Sequence, residues 1–250
     1  MNDILGYAMT DHYQGRFTGK LWVHNKYGPK EEMPVHIYFR DMEAMPELEW
    51  MALQQCRGKI LDIGAGAGSH ALALQQLGQD VTALDISPLL AGLMELRGVK
   101  KVIRGDFFEL PAGTDEAGGG AGTRRPGAYD TLLLLMNGIG LAATLDGLNR
   151  FLQKAQKLLR PGGQLLFDSS DISYLYKGKP SKGPGYYGEL FYQYEYKRQR
   201  SDWFQWLFID RKTFTAIAAK AGWETEILSE DGHDQYLARC RLRESVPVKA

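Results

Sequence analysis

The sequence predicts an α/β fold built on a doubly wound parallel sheet. Three observations carry this expectation. Strand-like apolar runs alternate with helix-like amphipathic runs from Lys59 to Asp171, as helices on both faces of a parallel sheet require. The run "LLLLM", Leu132 to Met136, has no polar interruption, which marks a strand buried on both faces. Glycines stand where elements should stop, at Gly64, Gly78 and Gly98.

The elements follow in order. Residues 1–45 read as an N-terminal extension, rich in aromatic and polar residues, without a clean period, and holding His12, His24 and His36. Extensions before such a core often cover its site, so a lid-like role is expected. Residues 46–250 form the main domain. "MEAMPELEWMALQQC" reads as a helix: Leu48, Met51, Ala52 and Gln55 keep helical spacing, and Pro46 suits its first turn. "GKILDIG" is a buried strand, "SHALALQQLG" a helix and "DVTALD" a second strand. "SPLLAGLMELRG" is a helix with Ser87 as N-cap and Pro88 at its first position. "VKKVIRGD" supplies a third strand. Residues 112–128 are glycine-rich and read as a flexible surface insertion. "AYDTLLLLMNG" is the fourth strand, "TLDGLNRFLQKAQKLLRPGG" a helix and "QLLFDSSD" the fifth strand. Residues 187–209 alternate aromatics on both sides of a polar centre and read as a hairpin. A helix, "DRKTFTAIAAKAG", and two strands, "WETEILSE" and "DQYLARCRLR", complete the chain.

Ligands on such sheets bind beyond the carboxyl ends of the strands. That rule gathers Asp62–Gly68, Asp85–Ser87, Asp106–Phe107, Met136–Gly140 and Asp168–Asp171 on one rim. The glycines run G-A-G-A-G-S-H, so the third comes one residue early for a dinucleotide fingerprint. Asp62 stands two residues before Gly64. A carboxylate there repels a pyrophosphate and suits an ammonium group or ribose hydroxyls.

At this point "LDIGAGAGSHALAL" resembles the first signature of class I S-adenosylmethionine-dependent methyltransferases. "VTALDIS", "IRGDFFEL", "YDTLLLLMNGIG" and "LNRFLQKAQKLLRPGGQLLFDSSD" resemble their next segments. The resemblance implies a Rossmann-like sheet of seven strands, mostly parallel, with an antiparallel last strand. It implies S-adenosylmethionine as cofactor and S-adenosylhomocysteine as product. Asp62, Gly64, Ala65, Gly66 and Gly68 then bind the donor. Asp85 binds its ribose, with Ile86 and Ser87 beside it. Asp106 contacts the adenine amino group, with Phe107 beside the ring. Met136 and Asn137 lie near the methyl. Tyr38 and Arg40 come from a region that in several members closes over the donor and pairs its carboxylate. "MNGIGLA" lacks the Asn/Asp-Pro-Pro-Tyr/Phe signature of members that methylate base amines, which argues against that substrate.

Transfer from a sulfonium mainly requires alignment and exclusion of water. A general base is needed only for an acceptor proton of high pKa. No catalytic base is assigned; His12, His36 and His233 are candidates. No metal-ligand spacing is visible. Thirty basic and thirty acidic residues cancel, so nothing pulls the whole chain toward nucleic acid or anionic lipid. A small-molecule acceptor is expected, with protein and RNA acceptors open and oligomeric state undetermined. Two lone cysteines and no secretion signal point to the cytoplasm. The longest apolar run is too short for a membrane span. Two other readings stand beside this one: a non-catalytic donor-binding regulatory module and a nicotinamide-dependent oxidoreductase.

Overall fold

The computed structural model describes residues 2–111, 128–176, 185–232 and 234–243. All of the expected insertion except Ala128 lies outside the described residues, as does His233.

The N-terminal region is more regular than its sequence suggests. Helix α1, Ile4–Tyr13, is followed by strands β1, Leu21–Asn25, and β2, Glu31–Met33. Helix α1 starts at Asp3, whose carboxylate accepts the Gly6 N–H at 3.0 Å. The core elements come next: α2, Glu47–Gln55; β3, Lys59–Ile63; α3, Ser69–Gln76; β4, Asp80–Asp85; α4, Pro88–Leu96; and β5, Val102–Arg104. They continue with β6, Tyr129–Leu134; α5, Leu145–Leu158; and β7, Leu159–Ser170. The C-terminal part holds β8, Glu189–Tyr196; β9, Gln199–Arg200; β10, Phe204–Leu207; α6, Arg211–Lys220; β11, Trp223–Glu230; and β12, Gln235–Leu242.

Seven strands form the main sheet in the order β11-β12-β7-β6-β3-β4-β5. The pairs among β3 to β7 are parallel, and β12 inserts antiparallel between β7 and β11. The expected antiparallel last strand is therefore present. The chain winds outward from β3 to β5, then returns through β6 on the other side. The crevice between β3 and β6 is the switch point where such sheets hold ligands.

The apolar run of β6 divides between two cores. Leu132 and Leu134 pack with α5, and Leu133 and Leu135 pack with α2 and α3. Alternation along a strand dictates this division. One element differs from the sequence expectation. Helix α5 ends at Leu158, and β7 begins at Leu159, running through Pro161-Gly162-Gly163. Proline cannot continue the helix. The irregular register between Tyr129 and Thr131 absorbs the extra residues.

The hairpin and the extension, far apart in sequence, form a second sheet in the order β10-β8-β1-β2, with β9 on β8. All its pairs are antiparallel. Helix α1 lies between this sheet and α4: Ile4, Ala8 and Met9 pack with Leu21, Tyr196, Leu90 and Leu93.

Candidate active site

The loop after β3 is shaped by left-handed glycines. Gly64, Gly66 and Gly68 have φ of 70°, 58° and 83°, a region that side chains with a Cβ enter at a cost. Their surroundings differ. A Cβ on Gly68 would stand 2.9 Å from Met94 Cγ and Val99 Cγ2, so that glycine lets α3 pack on α4. A Cβ on Gly66 would meet the Tyr38 ring at 3.7 Å, and one on Gly64 would meet nothing within 4 Å. Gly64 therefore offers open backbone. Ala65 is buried, and its N–H donates to Leu84 O at 3.0 Å.

Asp85 closes β4 and holds this loop. Its Oδ2 accepts the Gly66 N–H and its Oδ1 the Ser87 N–H, both at 2.9 Å. Burial raises its pKa to about 6 against these hydrogen bonds. Ser87 caps α4 by accepting the Leu90 N–H at 3.0 Å, and its hydroxyl donates to Asp3. The start of α1 thus reaches the end of β4. Ile86 between them is 60% exposed.

Asp62 is 2% exposed. Its carboxylate accepts the Ala71 backbone N–H, yet its Oδ2 has no hydrogen-bond partner. Burial raises its pKa to about 6; His70 opposes the shift and Asp85 adds to it. A chain of buried charges adjoins it. Arg40 Nη2 donates to Glu49 Oε1 at 2.5 Å, and Glu49 Oε2 lies 2.9 Å from His70 Nε2. Burial pulls the His70 pKa down, but Glu49, Asp62 and Asp168 outweigh it and leave it raised. Arg40 Nε is also buried without a partner. Arg40 is thus shared: Glu49 takes one nitrogen and another stays unsatisfied.

The remaining rim residues divide between site and scaffold. Asp106 caps a short turn through the Phe108 N–H at 2.8 Å. The Phe107 ring stacks on Phe151 in the core at 4.6 Å, so its side chain is a packing group. Met136 and Asn137 both adopt positive φ, 59° and 56°. Such strain concentrates at functional sites. The Asn137 side chain is wholly engaged in the protein. Its Nδ2 donates to Leu207 O at 3.1 Å, and its Oδ1 accepts from Ser169 Oγ at 2.9 Å. Its backbone N–H donates to Asp168. Burial raises the Asp168 pKa to about 6 against that bond and one from Gln235.

A model described as "Methyltransferase domain" matches residues 36–227. The match covers the glycine loop, all the strand ends above and the second sheet's hairpin. The chain belongs to the methyltransferase-domain family. A solved S-adenosylmethionine-dependent methyltransferase from Bacteroides fragilis, in complex with S-adenosylhomocysteine, is 40% identical. The likeness covers 96% of this chain and 94% of that one, with a TM-score of 0.83. The CcbJ methyltransferase from Streptomyces caelestis shares the fold at 14% identity, over 80% of this chain and 98% of that one, with a TM-score of 0.59. The ubiquinone biosynthesis O-methyltransferase of Paraburkholderia xenovorans is 27% identical over 126 residues, 49% of this chain and 49% of that protein. The chain spans about half the length of the curated relatives it matches.

In this methyltransferase domain His12, His24, His36 and His70 are described, and the candidate His233 lies outside the described residues. His12 packs on Phe39 at 4.8 Å, and His36 is exposed. His24 pairs with Glu195 at 2.8 Å. His70 belongs to the buried chain. The sequence reading missed Glu49. Its signal was present: Glu49 stands three and four residues before Ala52 and Leu53 and shares their buried helix face. A carboxylate on an apolar face needs a partner. Trp206, in the hairpin that the sequence predicts, lies over Gly140. No helix among the described residues is long and apolar enough to cross a membrane.

Proposed function

We propose that the protein is an S-adenosylmethionine-dependent methyltransferase acting on a small-molecule acceptor. The observation that carries this is a pair of buried, unsatisfied atoms of opposite character, Asp62 Oδ2 and Arg40 Nε, joined through Glu49 and His70. Orphaned buried polar atoms are costly without a ligand. An amino-acid group fits both: its ammonium answers Asp62, and its carboxylate answers Arg40. The resident arrangement suits the rest of the donor as well. Gly64 offers open backbone, Asp85 stands at the ribose position, and Asp106 stands at the adenine position.

When bound, S-adenosylmethionine supplies a methyl group on a sulfonium whose sulfur keeps the bonding electron pair. The chain's own residues bind and orient. Asp62 and Arg40 hold the amino-acid end. The glycine loop and Asp85 fix the nucleoside. The N-terminal extension and the second sheet act as the lid, since Asp3 reaches Ser87, Tyr38 reaches Gly66 and Trp206 reaches Gly140. Such a lid excludes water. Tyr38 is half-buried, and desolvation raises its pKa to about 12, so it stays neutral as a wall of the site. Both cysteines are buried and free, which fits the reducing compartment expected from the sequence.

The B. fragilis complex with S-adenosylhomocysteine supports the donor assignment, and the carboxylate at Asp62 speaks against a pyrophosphate ligand. Titration calorimetry tests it. Binding of S-adenosylhomocysteine and none of NADH is expected; the opposite result would reverse the reading. Incubation with labelled donor and metabolite extract tests catalysis. Transfer of label to a small molecule is expected, and its absence across diverse extracts would leave a donor-binding module.

A further inference from the structure

We propose that Glu49 is a positioning residue, which holds the Arg40 guanidinium with one edge left open for the carboxylate of the donor's amino-acid group. The inference rests on the donor reading and adds to it the residue that prepares Arg40.

Stability alone does not call for Glu49. It lies on α2, 6% exposed, on the face that also carries Ala52 and Leu53. A buried charge loses solvation that an ion pair seldom restores in full. An apolar residue of similar size often serves stability as well or better. The partners of Glu49 come from two other parts of the fold. Arg40 belongs to the N-terminal extension, and His70 to the first turn of α3.

The carboxylate is divided between them. Its Oε1 accepts from Arg40 Nη2 at 2.5 Å, and its Oε2 lies 2.9 Å from His70 Nε2. Arginine–carboxylate pairs are frequently bidentate, with two parallel N–H bonds. Here His70 keeps Oε2, so Glu49 grips Arg40 at one nitrogen. The Arg40 Nε is left buried and without a partner. The guanidinium is planar and rigid, so holding Nη2 also confines the Nε edge. Asp62 Oδ2 is likewise unpartnered, and His70 acts on that carboxyl. One donor and one acceptor thus remain unspent in a single buried group of charges.

The backbone that carries Arg40 is fixed as well. Ser69 Oγ donates to Tyr38 O at 2.7 Å, and the Arg97 guanidinium lies over the Phe39 ring at 4.9 Å. Arg97 also donates to Ser69 Oγ at 3.3 Å. Three consecutive residues, 38 to 40, are therefore tied to α3, to the end of α4 and to α2 in turn. An arginine side chain gives up rotamer freedom when a ligand immobilises it. Glu49 removes that freedom beforehand, so the carboxylate meets a guanidinium already in place.

Calorimetry on the full chain with two ligands tests this. S-adenosylhomocysteine carries the amino-acid group; methylthioadenosine shares its nucleoside and thioether and lacks that group. Glu49→Ala is expected to weaken S-adenosylhomocysteine roughly three- to tenfold. It should leave methylthioadenosine within about a factor of two. Glu49→Gln keeps an acceptor of the same shape, so it should restore part of the loss, and it serves should the alanine variant not fold. Glu49→Ala added to Arg40→Ala should cost nothing further, because Glu49 acts through Arg40. A glutamate that only supports the fold would weaken both ligands alike, or add its loss to that of Arg40→Ala. Either result overturns the proposal. Tighter binding of S-adenosylhomocysteine by Glu49→Ala also overturns it, since Glu49 would then compete for Arg40. Failure of the donor reading looks different: the native protein then binds neither compound, and this inference falls with it.

Discussion

Trp206 rests on Gly140. A Cβ added to Gly140 would stand 2.1 Å from the indole Nε1, so only a hydrogen fits between the second sheet and the turn after β6. The contact joins the lid to the rim through one missing methyl group. The Gly140 backbone has no unusual conformation to explain the residue; the demand is steric.

Gly140→Ala should therefore displace Trp206. Overpacking of this kind costs about 1–3 kcal/mol, read as a lowered denaturation midpoint. Transfer activity should fall further than stability, because the displaced ring holds the second sheet against the rim. An unchanged midpoint and rate would mean the ring moves freely and the contact positions nothing.

Gly64 and Gly68 share a backbone conformation but should answer alanine differently. Both substitutions carry left-handed strain of about 1 kcal/mol. Gly68→Ala adds a clash with Met94 and Val99 at 2.9 Å, so its main effect is on stability. Gly64→Ala meets no protein atom within 4 Å. Its methyl group enters the space proposed for the donor, so it should cut S-adenosylhomocysteine affinity by far more than it cuts stability. Melting curves and calorimetry on the two variants give the comparison; matching profiles would contradict it.

Asp85→Ala removes a carboxylate that accepts the Gly66 and Ser87 N–H groups. Hydrogen bonds to a charged group contribute about 1.5–3 kcal/mol each. With the proposed ribose contact also lost, donor affinity should drop by at least tenfold. Asp85→Asn keeps an acceptor and should recover part of it. Calorimetric affinities within a factor of two of the native protein for Asp85→Ala would remove Asp85 from the donor site.

Donor binding should strengthen with pH through the range of the rim carboxyls. Burial raises Asp62 and Asp85 from 3.8 to about 6. A raised carboxyl favours the folded state while protonated, so this stability is fully present below 3.8 and is lost as pH rises through about 6. An ammonium group on Asp62 reverses the preference by favouring the carboxylate. Affinity for S-adenosylhomocysteine is expected to rise between about pH 5 and 7, with proton release on binding. Asp62→Asn should flatten that slope. A slope that survives Asp62→Asn would assign it to another group.

Much of the core was legible because local pattern and burial agree there. The LLLL run of β6, the proline after Ser87 and the glycines after β3 each state a local requirement, and the structure meets them. Phe107 was less legible: its ring packs in the core on Phe151, a partner distant in sequence. Asn137 is similar, its amide spent on Leu207 and Ser169, partners distant in sequence.

By itself the sequence determined the alternating core, the strand ends that form the rim and the carboxylate that precedes the glycines. These follow from periodicity and from residues a few positions apart. Only the tertiary structure decided that residues 21–33 and 189–207 form one sheet, that α1 reaches Ser87, and that Arg40, Glu49 and His70 share one buried chain. Those relationships join segments up to about 170 residues apart, as in the pairing of Val23 with Tyr194. Antiparallel pairing between distant segments depends on register and on what each face can bury, and neither is written in a local period.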